Sequence, residues 1–237
     1  MYDIERQQQI LEILNQQNSI AVNKLADMLF VSQATIRRDL TKMEQKGLVI
    51  RTFGAVLKNT SLPNNETSFE LRESANKVEK RLLCQRCAEF LKSNSIIFID
   101  SSTTLLNIVP YLNDFDNLTV ITNGLFIANE IVNKTKHQVI VPTGIIQPKT
   151  NSILGPMTYT SLGRFHADVA IMSSSGLDTR TLSLTENTVD QAELKSLMVQ
   201  NSDMTICLID ASKINKVAIA KTCSLNDIEI LISTKCI

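Results

Sequence analysis

Six short apolar runs, each rich in β-branched residues, constrain what this chain can fold into more than any other feature. They are Ile96-Ile97-Phe98-Ile99, Leu118-Thr119-Val120-Ile121, Val139-Ile140-Val141, Val169-Ala170-Ile171-Met172, Thr205-Ile206-Cys207-Leu208-Ile209 and Ile228-Glu229-Ile230-Leu231-Ile232. A strand with one wet face alternates apolar and polar residues. Runs this continuous are buried on both faces, the condition of strands in a parallel sheet covered by helices. The intervals from Thr104 to Leu112, Gly124 to Asn133 and Asn187 to Asn201 supply helix-like segments to do the covering. The second part of the chain therefore reads as an open, mostly parallel α/β body.

The strand exits carry polar chemistry. They read Asp100-Ser101-Ser102-Thr103-Thr104, Thr122-Asn123-Gly124, Thr143-Gly144, Ser173-Ser174-Ser175-Gly176 and Asp210-Ala211-Ser212-Lys213. Open α/β sheets bind ligands at the carboxyl ends of their strands. Ser102, Thr103 and Thr104 would open the following helix, where free N–H groups favour an anion. Lys213 adds a full positive charge. Any one exit is also what a turn or helix cap looks like; it is the five together that point to a pocket for a phosphorylated small molecule.

The first part of the chain has a different rhythm. In Val31-Ser32-Gln33-Ala34-Thr35-Ile36-Arg37-Arg38-Asp39-Leu40, Ser32 is a good N-cap, and Ile36, Leu40 and Met43 form an apolar stripe at helical spacing. The opposite face bears Gln33, Thr35, Arg37, Arg38 and Lys42, residue types that contact base edges and phosphates. Ile10, Ile13 and Leu14 mark one preceding helix, Leu25, Met28 and Leu29 a second, and Phe30-Val31 a tight connection into the third. That is the helix-turn-helix arrangement, whose second helix enters the major groove. Gly47 is placed to end the recognition helix. Leu48-Val49-Ile50-Arg51, Thr52-Phe53-Gly54 and Ala55-Val56-Leu57 then read as a two-stranded hairpin, a wing with Arg51 and Lys58 near flanking phosphates.

Charge separates a reading face from an ordinary solvated helix. Lys+Arg and Asp+Glu balance at 24 each over 237 residues, so the total says nothing. Between Ser32 and Lys58, however, Arg37, Arg38, Lys42, Lys46, Arg51 and Lys58 face only Asp39 and Glu44. The positive field is local to the proposed reading surface. The turn-rich stretch Asn59-Thr60-Ser61-Leu62-Pro63-Asn64-Asn65-Glu66 follows as a linker. These features divide the chain into a head over 1–58, a linker over 59–68 and a body over 69–237. The body opens with one long or kinked helix from Phe69 to Leu91, its buried stripe including Val78, Leu82 and Leu83, with Arg72, Lys77, Lys80 and Arg81 largely elsewhere.

On these residues the chain resembles the DeoR family of bacterial transcriptional regulators. The head is similar to the family's winged helix-turn-helix in Val31-Ser32, Thr35-Ile36-Arg37-Arg38-Asp39-Leu40, Gly47 and Arg51. The body is similar to the family's sugar-phosphate-sensing domain, itself similar to ribose-phosphate isomerase folds, in Asp100–Thr104, Thr122-Asn123, Gly144, Asp190-Gln191-Ala192-Glu193-Leu194-Lys195 and Asp210–Lys213. The resemblance implies operator contacts at Ser32, Gln33, Thr35, Arg37, Arg38, Lys42 and Arg51. It implies effector contacts at Asp100, Ser101, Ser102, Thr103, Thr104, Thr122, Asn123, Gly144 and Lys213. Three places depart from the family. Its wing usually closes with His-Gly-Gly-Ala, where this chain has Phe53-Gly54-Ala55-Val56. Ser102 replaces a glycine of the first hydroxyl loop, and Thr143-Gly144 replaces a Gly-Gly pair.

Composition excludes other classes. No apolar run approaches the roughly 20 residues needed to span a bilayer, and Met1 to Gln17 is polar and amphipathic rather than a signal peptide; a cytoplasmic protein is expected. The five cysteines are an odd number, which argues against a disulfide framework. Cys84-Gln85-Arg86-Cys87 sits in a helical segment and reads as small packing residues. Neither a metal nor a cofactor is expected. The reading is a transcriptional regulator, a repressor of sugar-metabolism genes, responding to a phosphorylated sugar and working as a homodimer or homotetramer. The alternative is a sugar-phosphate isomerase-like enzyme, for which Glu186, Glu193, Asp178 and Asp210 are available carboxylates. Against it, the segments from Asp168 to Gly176 lack the Asp-Gly-Ala-Asp and Lys-Gly-Gly-Gly strings that carry activity in the isomerases. A third reading, an adaptor whose body only oligomerises, predicts no small-molecule effect.

Overall fold

The structure is a computed structural model that describes residues 3–45, 48–58 and 69–235. It divides into two compact units, one ending at Ala75 and one beginning at Asn76. Gly47 and the stretch 59–68 lie outside the described residues.

In the first unit, α1 (Asp3–Gln17) is followed by β1 (Ser19–Ala21), α2 (Val22–Met28) and α3 (Gln33–Gln45). Then come β2 (Val49–Arg51), β3 (Ala55–Lys58) and α4 (Phe69–Ser74). Ile10 and Leu14 of α1, Leu25 of α2 and Ile36, Leu40 and Met43 of α3 are fully buried in one core. Met28, expected on the stripe of the second helix, is 42% exposed; Leu25, Ala26 and Leu29 are what that segment buries. The wing is a three-stranded antiparallel sheet, β1-β3-β2, where a hairpin was expected. A strand of only Ser19-Ile20-Ala21 has no periodic signal and exists because it pairs with β3. Helix α4 belongs to this unit, its Ser74 hydroxyl donating to Gln8 Oε1 at 3.2 Å.

The second unit opens with α5 (Lys77–Ala88). The long or kinked helix expected from Phe69 to Leu91 is therefore two, broken at Asn76, which sits in the left-handed region at φ +52°. The buried stripe of α5 is Lys80, Leu83, Cys84 and Cys87, while Val78 and Leu82 are exposed. The stripe keeps helical spacing, but a lysine occupies one of its positions. The chain continues through β4 (Ile96–Ile99), α6 (Val109–Leu112), β5 (Thr119–Thr122), α7 (Leu125–Lys134) and β6 (Gln138–Ile140). Next are β7 (Ile145–Gln147), β8 (Ser152–Leu154), α8 (Pro156–Leu162) and β9 (Val169–Ser173). The remainder is β10 (Gly176–Asp178), β11 (Ser183–Glu186), α9 (Val189–Gln200), β12 (Thr205–Ile209), β13 (Ala220–Ser224) and β14 (Ile230–Ser233). Ahead of α6, residues Leu105–Ile108 form a 3₁₀ turn, so the helix expected from Thr104 is short; Pro110 has no N–H to carry an α-helical ladder back through that turn.

All six apolar runs became strands of one parallel sheet in the order β14-β12-β9-β4-β5-β6. Successive side chains take opposite faces. Ile97, Ile99, Val120 and Ile171 pack against Leu83, Cys84 and Cys87 of α5 and Ile127 and Ile131 of α7. On the other face Phe98, Ile121 and Ala170 meet Leu162 of α8 and Leu194 and Met198 of α9. A smaller antiparallel sheet, β10-β11-β13, and the β7-β8 hairpin stand beyond the main sheet. No helix among the described residues is long and apolar enough to cross a membrane.

Candidate functional site

In the head, the Ser32 hydroxyl accepts the Thr35 N–H at 3.2 Å and lies 2.9 Å from the Thr35 hydroxyl, so both hydroxyls take part in opening α3. Gln33, Arg37 and Arg38 are exposed, and neither arginine has an ion-pair partner among the described residues. Lys42 and Arg51 are engaged. Lys42 Nζ lies 2.8 Å from Asp3 Oδ2, while Arg51 donates to Thr41 Oγ1 at 2.7 Å and sits 3.6 Å from Glu44 Oε2. These two cations are shared between the fold and any phosphate they meet.

Beneath this face is a pair that sequence reading missed. Asp39 is 1% exposed and accepts from Arg6 Nε at 2.5 Å, while Arg6 Nη2 reaches Asp3 Oδ1 at 2.8 Å. The Asp39 bond, more than burial opposes it, raises the Arg6 guanidinium above its ordinary value. The signal was present: Asp39 falls on the stripe of Ile36, Leu40 and Met43, where an acid has to find a buried cation.

In the body, sheet order defines where a ligand belongs. From β4 the chain runs outward through β5 and β6; from β9 it runs the other way through β12 and β14. The strand order reverses between the paired β4 and β9, and the crevice at such a switch point is where open α/β sheets bind ligands. Asp100 spans it, accepting the Ser102 N–H on Oδ1 at 2.7 Å and the Ser173 N–H on Oδ2 at 3.0 Å. Lys195 of α9 lies below, with Nζ 3.0 Å from Asp100 Oδ2, 2.6 Å from Glu186 Oε1 and 2.7 Å from the Ser173 carbonyl. Burial alone would depress this ammonium, but Asp100 and Glu186 outweigh it and hold it above an ordinary lysine.

Around that frame the remaining exits take unequal places. Asn123 donates to Ser101 Oγ at 3.4 Å and to the Ile153 carbonyl at 3.3 Å. Thr103 Oγ1 accepts from the buried Lys80 Nζ at 3.1 Å, a contact invisible in sequence because Lys80 is 23 residues upstream on the helix's inner face. Lys213 donates to Ser173 Oγ at 2.8 Å and lies 3.7 Å from Asp210 Oδ2; burial, chiefly, lowers its pKa from the usual lysine value. Thr122 Oγ1 accepts the Gly124 N–H, which is the work of a turn. Gly144 packs against α8: a Cβ there would come within 1.9 Å of Thr158 Oγ1, so close approach of the chain requires the glycine. Thr143, beside it, lines a separate groove of about 500 Å³ with Pro156, Met157, Thr160, Ser161, Arg164 and Phe165. Cys84 and Cys87 are buried in the core, with burial pushing the Cys87 thiol up to about 12.

A winged helix-turn-helix in the first unit, with an α/β unit holding a polar crevice at its switch point in the second, is the architecture of a ligand-sensing DNA-binding regulator. The family model of the DeoR-like helix-turn-helix domain matches residues 6–61, and that of the DeoR C terminal sensor domain matches residues 75–235. The chain belongs to the DeoR family of transcriptional regulators. It is 36% identical to the uncharacterized HTH-type transcriptional regulator YulB of Bacillus subtilis, over 97% of this chain and 88% of that one. It is 32% identical to the L-fucose operon activator of Haemophilus influenzae, over 97% and 91%. The glycerol-3-phosphate regulon repressor of Escherichia coli is 28% identical over 97% and 90%.

Proposed function

We propose that this protein is a repressor of sugar-metabolism genes, that α3 and the wing hold its operator, and that a phosphorylated sugar in the switch-point crevice controls the affinity. Gln33, Thr35, Arg37 and Arg38 read or position the operator from the exposed face of α3, with Ser32, Lys42 and Arg51 supporting it. The effector half rests on one observation above others. Ser102 Oγ, Thr104 Oγ1 and Asn123 Oδ1 are buried polar atoms without a hydrogen-bond partner among the described residues. Each such atom costs about 1–3 kcal/mol, a cost that a ligand rich in hydroxyl and phosphate oxygens would relieve. Lys213 supplies the cation, Asp100 and Ser101 shape the floor, and Thr103 carries the Lys80 contact to the rim. Thr122 and Gly144 act by holding the flanking turns. The two binding events are linked only as far as the effector prefers one conformational state of the protein. One winged head offers little surface for strong specificity, so a homodimer or homotetramer presenting several heads is the working form.

Thermal unfolding against a panel of sugar phosphates and their unphosphorylated counterparts tests the crevice. At a ligand concentration about 100 times Kd, the matching phosphate stabilises by about 2.7 kcal/mol. The shift disappears when the phosphate is removed and in Lys213→Ala. Its affinity weakens on the alkaline side, because the neutral Lys213 amine forms at a lower pH than in a free lysine. A panel with no phosphate-dependent shift would remove the effector half. On the DNA side, Arg38→Ala weakens binding across all sequences and reduces the slope of log K against log salt by about 1; an unchanged slope takes Arg38 off the contact surface. An activator is the second reading, favoured by the name of the Haemophilus influenzae relative. Transcription from a bound promoter with and without the effector separates the two.

A further inference from the structure

Phe53 stands at the tip of the wing with its side chain fully in solvent, at 110% relative exposure. The tip itself is not loose. Thr52 N–H donates to the Ala55 carbonyl at 3.0 Å, and the Gly54 carbonyl accepts the Val22 N–H at 2.9 Å. Gly54 takes φ +82°, which lets the three-residue loop close in this shape. A short, pinned turn thus presents a bare aromatic ring that contributes nothing to the head's own core.

Its neighbours indicate what the ring meets. Arg51, two residues before it, bonds Thr41 on the exposed face of α3, and Thr41 in turn donates to the Arg37 carbonyl one helical turn back. The wing strand therefore departs from beside the reading face. From Arg51 to Lys58 the chain has two cations and no carboxylate. Continuity with a basic reading face favours a nucleic-acid backbone nearby. A lone ring on a narrow two-strand tip fits a slot rather than a broad apolar partner surface.

Resting on the DNA-binding reading above, we propose that Phe53 is a minor-groove wedge. The minor groove flanking the site read by α3 is about 6 Å wide, and apolar side chains that enter it unstack a base step and bend the duplex. Phe53 is then a specificity-determining residue that touches no base edge by hydrogen bonding. It selects flanking pyrimidine–purine steps because these kink most easily.

The test uses full-length protein and duplexes enriched from a random-sequence pool, with wild type, Phe53→Ala, Phe53→Leu and Arg38→Ala compared. Wild type enriches a flexible step beside its site and bends the selected duplex by roughly 20–90° in a circular-permutation assay. Phe53→Ala loses the flanking preference, straightens the duplex and binds about tenfold more weakly with an unchanged salt slope, since no charge is removed. Phe53→Leu retains the bend. Equal bending by wild type and Phe53→Ala overturns the wedge, whatever happens to affinity. Failure of wild type to enrich any sequence is a different result: it removes the DNA-binding reading itself, and the wedge with it.

Discussion

Lys195→Met should destabilise the body by about 3–5 kcal/mol, the cost of breaking a buried ion pair by removing one partner. Lys195 and Glu186 side chains are each 5% exposed and Asp100 is fully buried. One ammonium serves both carboxylates and also caps the Ser173 carbonyl. Without it, two like charges face each other out of water, at the switch point between β4 and β9. A folded domain has only about 5–15 kcal/mol in hand, so denaturant melts would register a large drop. The linkage has a definite sign. Because the folded state holds Lys195 above its ordinary value of 10.5, its contribution is fully present below that pH and is lost only as pH rises past the folded value. The deficit of Lys195→Met is therefore constant across the neutral range. Adding Asp100→Asn and Glu186→Gln to Lys195→Met should return much of the loss. A melt of the single variant within 1 kcal/mol of wild type would mean that the three groups are not coupled as described.

Asp39→Ala should be the most damaging single change in the head. It leaves Arg6, 5% exposed, still bonded to Asp3 at 2.8 Å but without the buried carboxylate beside its Nε. Removing one side of a buried pair costs about 3–5 kcal/mol, and a unit of this size has roughly 0.05–0.15 kcal/mol per residue to lose. Calorimetry of the full chain would show the head transition falling while the body transition stays. DNA binding would fall with it, because the Arg6–Asp39 bond is the buried polar tie between α1 and α3 beneath the reading face. Arg6→Met combined with Asp39→Leu should recover stability, since a well-packed apolar pair of similar volume is often as good as a buried salt bridge. A head that melts normally in Asp39→Ala would show that the apolar stripe alone positions the helix.

These two residues mark the limit of sequence reading here. The stripe of Ile36, Leu40 and Met43 and the Ser32 cap were legible because helical periodicity and capping are local. All six parallel strands were legible because burial on both faces leaves an unbroken apolar run. The three-residue strands β1, β7, β8 and β10 were not, since each is held by its partner strand rather than by any pattern of its own. Lys80 falls off the stripe of Val78, Leu82 and Leu83 expected from sequence; only packing of α5 against the first hydroxyl loop turns it inward.

The candidate site divides along the same line. Sequence alone determined that polar residues follow the apolar runs and that an α3-like helix carries Arg37 and Arg38 outward. Those are properties of neighbours in the chain, decided by short-range sterics and by which side chains water will accept. The tertiary structure decided that Asp100 and Ser173, 73 residues apart, face one another across the switch point, and that Lys195 pairs with Asp100 and Glu186 together. It also decided that Gly144 serves the approach of Thr158. A buried charge is tolerable only beside its counter-charge, and the identity of that partner is set by strand order, which no local pattern encodes.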